Sequence, residues 1–372
     1  MAEPTKGLQD IVAADSTICL ITPDGRLAYR GLDIEDLAEH STFEETVFFL
    51  LYGHLPKQAE LDDFKVKLAE GRKLPAEIIT LMKDFPKTAF PMEALRTATS
   101  ALSFYDPDTH DNSYEASVRK AIRLIGQLTL LTTGFDRIRR GLEPIEPDPS
   151  MSMAEAFLYT LHGEKPSASG ARAFDVCLIL HADHELNAST FAARVIASTL
   201  SDVHAAITGG IGALAGPLHG GANQRVLEML LDIGELDRVE AYVDDIFTNK
   251  KKIMGFGHRV YRATDPRANI FRVFSKNLGE ETGEPKWFQM CEMIEKMVFE
   301  KKKLYPNVDF FSGTVLHALK IPTDLFTPVF ACSRVSGWSA HVLEQLNNNR
   351  LIRPVADYQG AIKMEYTPID QR

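Results

Sequence analysis

Apolar residues in this chain recur three and four positions apart over most of its length, and that spacing confines it to helices. Residues 60–70, 76–84 and 92–104 each gather their apolar side chains on one helical face, and residues 117–140 and 153–162 continue the pattern. Residues 171–184 are apolar nearly throughout, which predicts a helix buried on all sides. Residues 189–207 read as one further helix, capped by Ser189 or Thr190. Thr42 followed by Glu45 is a capping box for ETVFFLLYGHLP, with Pro56 beyond its end, and Asp33 is placed to cap IEDLAEH. The exception is near the start. Residues 17–22 and 26–30 flank Pro23-Asp24-Gly25, a turn signal, and predict one small hairpin. The fold class is therefore all-α with one small N-terminal β-hairpin.

The middle of the chain changes character. Between residues 216 and 323 charge is denser and the predicted helices are shorter: 226–231, 238–249, 268–278, 288–305 and 314–319. After Pro322 the chain is apolar again, and residues 326–345 read as one long helix. This predicts two domains, a large one from residues 1–215 and 323–372 and a small one from 216–322 inserted between its halves. A chain of 372 residues is long enough for both. The proline-rich GLEPIEPDPS reads as a surface loop.

A net charge of −10 argues against nucleic acid or an anionic membrane as the main partner. Cys19, Cys177, Cys291 and Cys332 are scattered without a CxxC pair, so neither a zinc site nor a disulfide framework is indicated, and a cytoplasmic setting is expected. MAEPTKGLQD carries no basic stretch followed by an apolar run, so no signal peptide is expected. Residues 205–224 lack Asp, Glu, Lys and Arg but hold six glycines and Pro217. They read as a close-packed helix leading into a functional loop, not as a membrane span.

The chemistry-bearing residues fall in four motifs. GFGHRVYRATDPR places His258, Arg262, Asp265 and Arg267 on a short segment opened by Gly255 and Gly257. His184 lies in HADHELNAST, His219 in GPLHGGAN, and Asp309 in NVDFFSG. A lone histidine is more often structural than catalytic, and glycines often mark nothing more than turns. The set says more. Histidines can donate to a developing oxyanion, a carboxylate can act as a base, and arginines grip carboxylates and phosphates through forked donors. Together they point to acid–base chemistry on an anionic small molecule. The H-x-x-H spacing of His181 and His184 lacks a third ligand nearby, so no metal site is assigned.

These motifs, in this order, closely resemble citrate synthase, and the similarity extends from LAYRGLDIEDLAEHSTFEETVFFLLYGHLP to RVSGWSAHVLEQ and RLIRP. The resemblance is to the short type found in many bacteria and archaea, without the N-terminal extension of the larger, hexameric, NADH-sensitive type, so inhibition through such an extension is not expected. It implies condensation of acetyl-CoA with oxaloacetate followed by thioester hydrolysis, with acetyl-CoA as co-substrate and no permanently bound cofactor. By resemblance Asp309 is the base, His219 donates to the thioester oxygen, and His258 polarises the oxaloacetate ketone. His184, His258, Arg267 and Arg334 bind oxaloacetate, and Arg353 is supplied by the partner subunit of a homodimer. Lys252, Gly255, Gly257, Arg262 and Asn307 match the CoA contacts. Trp338 and His341 read as packing or subunit-interface residues. Two alternatives stand beside this reading: 2-methylcitrate synthase, which uses propionyl-CoA, and a non-catalytic CoA- or dicarboxylate-binding protein, disfavoured because His219, His258 and Asp309 are all present.

Overall fold

The computed structural model describes residues 6–8, 11–258 and 260–372. Most of the N-terminal stretch read for a signal peptide, residues 1–5 and 9–10, lies outside them. Sixteen α-helices run through the described residues, preceded by one small sheet.

The sheet has three strands, not the two of a hairpin. β1 (Cys19–Ile21) pairs antiparallel with β2 (Leu27–Tyr29), and β2 pairs with a short β3 (Leu32–Asp33). Tyr29 faces Leu32, so Arg30 and Gly31 form a two-residue turn, and both have positive φ, at 48° and 94°. That turn matches the twist of paired strands, with Gly31 taking the second positive φ at no steric cost. The tip of the first turn leans on the segment after His258. Arg262 N–H donates to the Pro23 carbonyl at 2.8 Å, and a Cβ at Gly25 would meet the Thr264 carbonyl oxygen at 2.9 Å.

The helices are α1 (Ile34–His40), α2 (Phe43–Tyr52), α3 (Gln58–Gly71), α4 (Ala76–Asp84), α5 (Pro91–Leu102), α6 (Tyr114–Arg139), α7 (Met153–His162) and α8 (Ala168–His181). Then follow α9 (Ala188–Ser198), α10 (Val203–Leu214), α11 (Ala222–Ile233), α12 (Val239–Thr248), α13 (Pro266–Glu281), α14 (Lys286–Lys302), α15 (Val308–Ala318) and α16 (Phe326–Asn347). Thr42 accepts from Glu45 N–H and starts α2, while Asp33, placed to cap α1, instead holds Arg26 through Nε at 2.6 Å.

The single helix expected over 189–207 is two. Leu200 adopts a left-handed φ of 66°, and Asp202 restarts the chain by accepting from Ala205 N–H at 3.0 Å. The cap of α9 is Asn187, whose Oδ1 accepts from Thr190 N–H at 3.1 Å, so neither Ser189 nor Thr190 is the cap. Ser189 Oγ donates to the same Asn187 Oδ1 at 2.8 Å, and its backbone N–H is left for another partner. α10 is close-packed as expected, since a Cβ at Gly210 would meet the Trp338 ring at 3.0 Å.

α16 is the spine of the molecule. It packs against α2, α6, α8, α9 and α10, and nearly all its side chains from Phe326 to Leu343 are buried. Removing one of its largest, Trp338, is a change of the kind that costs about 3–5 kcal/mol. α13 packs along α15 and reaches α8, which brings the starts of α13 and α15 towards the end of α8. No helix among the described residues is long and apolar enough to cross a membrane.

Candidate active site

The predicted histidines, Arg267 and Asp309 sit where an element begins or ends, whereas Arg334 lies within α16. His184 follows α8, His219 precedes α11, His258 precedes α13, and Arg267 and Asp309 lie in the first turns of α13 and α15. Helix ends carry unpaired backbone groups and irregular turns, which is where side chains can be aimed into a cleft.

His258 Nδ1 accepts from two backbone N–H groups, Val260 at 3.0 Å and Tyr261 at 3.1 Å. The ring's single proton is therefore on Nε2, which can donate to a substrate. Burial, then the Arg267 guanidinium, lowers its pKa to about 4. The ring stacks on Tyr261 at 4.4 Å and meets His184 edge-on at 5.2 Å. His184 Nε2 bonds the Tyr261 hydroxyl at 3.2 Å, and burial with Arg267 and His258 nearby holds it well below the usual histidine range.

His219 shows the opposite tautomer. Its Nε2 accepts from Ser189 N–H at 3.2 Å and lies 2.8 Å from Ser189 Oγ, so its proton is on Nδ1. Ser189 Oγ in turn accepts from Trp338 Nε1 at 3.1 Å. Burial first, then Arg334, lowers His219 to about 4. Both rings are neutral near pH 7, and each presents one N–H at a fixed place.

Asp309 stands apart in sign. Burial pushes its carboxyl up to about 6, against the pull of Arg267, Arg334 and Arg225, and with Asp265 adding to the rise. Among the described residues no donor bonds its carboxylate. Its backbone N–H is taken by Asn307 Oδ1 at 3.0 Å, the cap of α15.

Arg267 is locked by Asp265 through two bonds, Nε to Oδ1 at 3.0 Å and Nη2 to Oδ2 at 2.8 Å. Asp265 also accepts from Arg267 N–H at 3.1 Å and from Val308 N–H at 3.2 Å. One buried carboxylate thus caps α13, fixes its arginine and holds the start of α15 beside Asp309. Removing one partner of such a pair costs about 3–5 kcal/mol. Arg334 is buried on α16, donates Nε to the His181 carbonyl at 2.7 Å, and lies over Phe330 at 4.7 Å.

The candidate CoA residues form a second group. Gly255 and Gly257 have φ of 79° and 77°, values that favour glycine. A Cβ at Gly255 would also meet Phe310 at 2.7 Å, while the space beside Gly257 is open. Asn307 N–H donates to the Gly255 carbonyl at 2.9 Å and its Nδ2 to the Gly257 carbonyl at 3.0 Å. Lys252 and Arg262 are exposed at the borders of this loop. Arg353 is exposed beyond α16 and does not join the group.

Sequence reasoning missed several partners. Ser189, Trp338 and Tyr261 orient the three histidines, and Trp338 and His341 are wholly buried within one chain, so they are not subunit-interface residues. Ser189 was visible inside HADHELNAST, but the freedom of its backbone N–H depended on locating the α9 cap at Asn187. The late start predicted for α15 hid the placement of Asp309 in a first turn, although Asn307 was a legible cap.

The citrate synthase C-terminal domain family matches residues 7–355. Citrate synthase 2 of Bacillus subtilis is 51% identical over 369 residues, covering 99% of each chain. The 2-methylcitrate synthase of Shewanella oneidensis is 41% identical, covering 98% of this chain and 97% of its own. Among solved structures, citrate synthase of Thermoplasma acidophilum, in a ternary complex with carboxymethyl coenzyme A and oxaloacetate, gives a TM-score of 0.93 at 34% identity over 100% of both chains. Identity of this extent, over a helical frame of the same shape, assigns the chain to the citrate synthase family.

Proposed function

We propose that this enzyme condenses acetyl-CoA with oxaloacetate and hydrolyses the resulting thioester, giving citrate and CoA. The observation that carries the reading is a raised carboxylate, Asp309, in one site with two neutral histidines of fixed tautomer and two buried arginines. Asp309 takes a proton from the acetyl methyl group as His219 Nδ1–H donates to the thioester oxygen. A preorganised donor of this kind contributes about 3–4 kcal/mol. The enol carbon bonds to the oxaloacetate ketone carbon, and the new alkoxide receives its proton from His258 Nε2. Water then attacks the thioester carbonyl, the C–S bond breaks, and CoA leaves as the thiol. His184, Arg267 and Arg334 hold the keto acid. The Gly255–Gly257 turn, Asn307, Lys252 and Arg262 receive CoA, which is a substrate and not a resident cofactor.

The division into residues 1–215 with 323–372 and residues 216–322 fits this chemistry. Arg267 and Asp309 belong to the smaller part and His184 and Arg334 to the larger, so closure of one on the other would assemble the site and exclude water.

The active unit in this reading is a homodimer with Arg353 given in trans. Asn349 Nδ2 and Ile352 N–H are tied to Ser198, at the end of α9, by bonds of 3.0 Å each. Ser189, which holds His219, is at the other end of α9, about 13 Å away at 1.5 Å per residue. The segment after Arg353 has no regular secondary structure before Ile369 and exposes Val355 at 82%, Ile362 at 98% and Met364 at 82%, apolar surface suited to a second subunit.

Relatives named 2-methylcitrate synthase, at 40–41% identity, support propionyl-CoA as the alternative acyl donor. One methylene is worth only about 1–3 kcal/mol of discrimination. Parallel rates of thiol release with acetyl-CoA and propionyl-CoA, each with oxaloacetate, decide between them. The expected result favours acetyl-CoA. A preference for propionyl-CoA supports the alternative, and no release with either supports a binding protein.

A further inference from the structure

α16 touches the turn that carries His184 at three heights along one face. Arg334 Nε donates to the His181 carbonyl at 2.7 Å, Gly337 N–H to the Ala182 carbonyl at 3.0 Å, and His341 Nε2 bonds Asp183 Oδ2 at 3.2 Å. Steps of three and four residues align these contacts on one stripe of the helix. No side chain fits at Gly337, where a Cβ would collide with the Ala182 carbonyl oxygen and Asp183 Oδ1.

Asp183 is fully buried. Its Oδ2 also accepts from Glu185 N–H at 3.2 Å, which holds Glu185 at a left-handed φ of 55°. Its main chain is fixed by Tyr29, whose hydroxyl accepts from Asp183 N–H at 3.1 Å and donates towards the Asp183 and Ile179 carbonyls at 3.0 and 3.1 Å. Asp183 Oδ1 has no hydrogen-bond partner among the described residues. A buried carboxylate in this state is costly unless donors reach it.

The state of His341 follows from its other neighbour. Arg194 Nη1 lies 3.1 Å from His341 Nδ1, and a guanidinium can only donate. Nδ1 therefore accepts, and the ring proton is on Nε2, aimed at Asp183. Arg194 is itself fixed by Glu344 at 2.7 Å and Gln345 Oε1 at 3.1 Å.

We infer that His341, oriented by Arg194, is a positioning residue for oxaloacetate binding: it satisfies Asp183 so that His184 keeps its place and Arg334 remains free to face the substrate. The inference rests on the assignment of His184 and Arg334 to the keto acid given above. Arg334 is the cation best placed to compensate Asp183 if the imidazole donor is lost, because it acts on Asp183 electrostatically from the same face of α16. Drawn to Asp183, it would no longer offer its Nη1 and Nη2 donors to a substrate carboxylate, and the 183–185 turn would rotate with His184. The defect would fall on the keto acid and spare the acyl-CoA.

The test is steady-state kinetics of His341→Leu and His341→Gln. Leucine keeps apolar bulk and removes the donor, whereas glutamine carries an N–H at a similar reach. In His341→Leu the KM for oxaloacetate should rise at least about tenfold while that for acetyl-CoA stays within about twofold. His341→Gln should bring the oxaloacetate KM back to within about threefold of the unaltered enzyme. A purely structural role lowers the active fraction without moving KM, so an unchanged oxaloacetate KM in folded His341→Leu overturns the inference. Absence of oxaloacetate-dependent turnover in the unaltered protein would overturn the functional reading and this inference with it, whereas the KM result overturns this inference alone. If His341→Leu does not fold, the imidazole nitrogen resonances of the unaltered protein decide. His341 should be the Nε2–H tautomer and should respond to added oxaloacetate. An Nδ1–H tautomer, or a resonance indifferent to oxaloacetate, overturns the inference.

Discussion

Asp309 carries a proton more readily than an ordinary carboxyl, and burial is the main cause. In the proposed mechanism it must be ionised, so kcat/KM should fall about tenfold per pH unit below about 6. His219 and His258, held near 4, should add no limb above about 5. A pH–rate profile checks this, and a flat profile from pH 7 to pH 5 contradicts it. The same rise has a stability consequence. The folded pKa is above the ordinary 3.8, so the ionised group destabilises the fold at neutral pH, and the penalty disappears as pH falls through about 6 towards 4. Two pKa units correspond to about 3 kcal/mol at most, and partial access of solvent to this side chain reduces that to about 1 kcal/mol. Asp309→Asn should therefore melt slightly higher than the unaltered protein at pH 7.5 and no higher at pH 4. A lower melting temperature at pH 7.5 would contradict it.

Asn307 shows how one cap serves an element and a site together. Its Oδ1 caps α15 beside Asp309, and its Nδ2 holds the Gly257 carbonyl. Asn307→Ala should cost about 1 kcal/mol of stability from the lost cap. It should also raise the KM for acetyl-CoA more than that for oxaloacetate, because the Gly255–Gly257 turn is freed. Thermal melts and substrate titrations check both arms, and equal effects on the two KM values contradict the second. At this scale the sequence was legible where amphipathic spacing was strong. α4 and α7 begin and end where their spacing placed them, and α16 begins at Phe326 as expected. It was least legible where a helix is buried on all sides or starts on a motif. α15 begins several residues before its predicted start because VDFFSG is buried on nearly all sides and shows no solvent-facing stripe, and α13 begins at Pro266 inside the DPR motif. The break at Leu200 depends on a left-handed backbone that no residue type announced. The four chemical motifs were legible as sequence, but the tautomers of His219 and His258 come from backbone N–H groups that only the folded turns supply.

For the molecule as a whole, the proposed dimer makes a prediction that one chain alone cannot meet. Arg353→Ala and Asp309→Asn chains, each inactive, should regain a substantial part of the activity when dissociated and reassociated together. In a shared site a heterodimer carries one site with both residues intact. A mixture that stays inactive although heterodimers form would place Arg353 outside the site. The central claim is that Asp309 is the base of an oxaloacetate-dependent condensation. Its most direct test compares CoA thiol release from acetyl-CoA plus oxaloacetate by the unaltered enzyme and by Asp309→Asn, with oxaloacetate affinity measured on both by calorimetry. The substitution keeps the shape and removes the base, so turnover should fall at least about 10²-fold while oxaloacetate binding is nearly unchanged. Near-equal turnover of the two proteins would contradict the account.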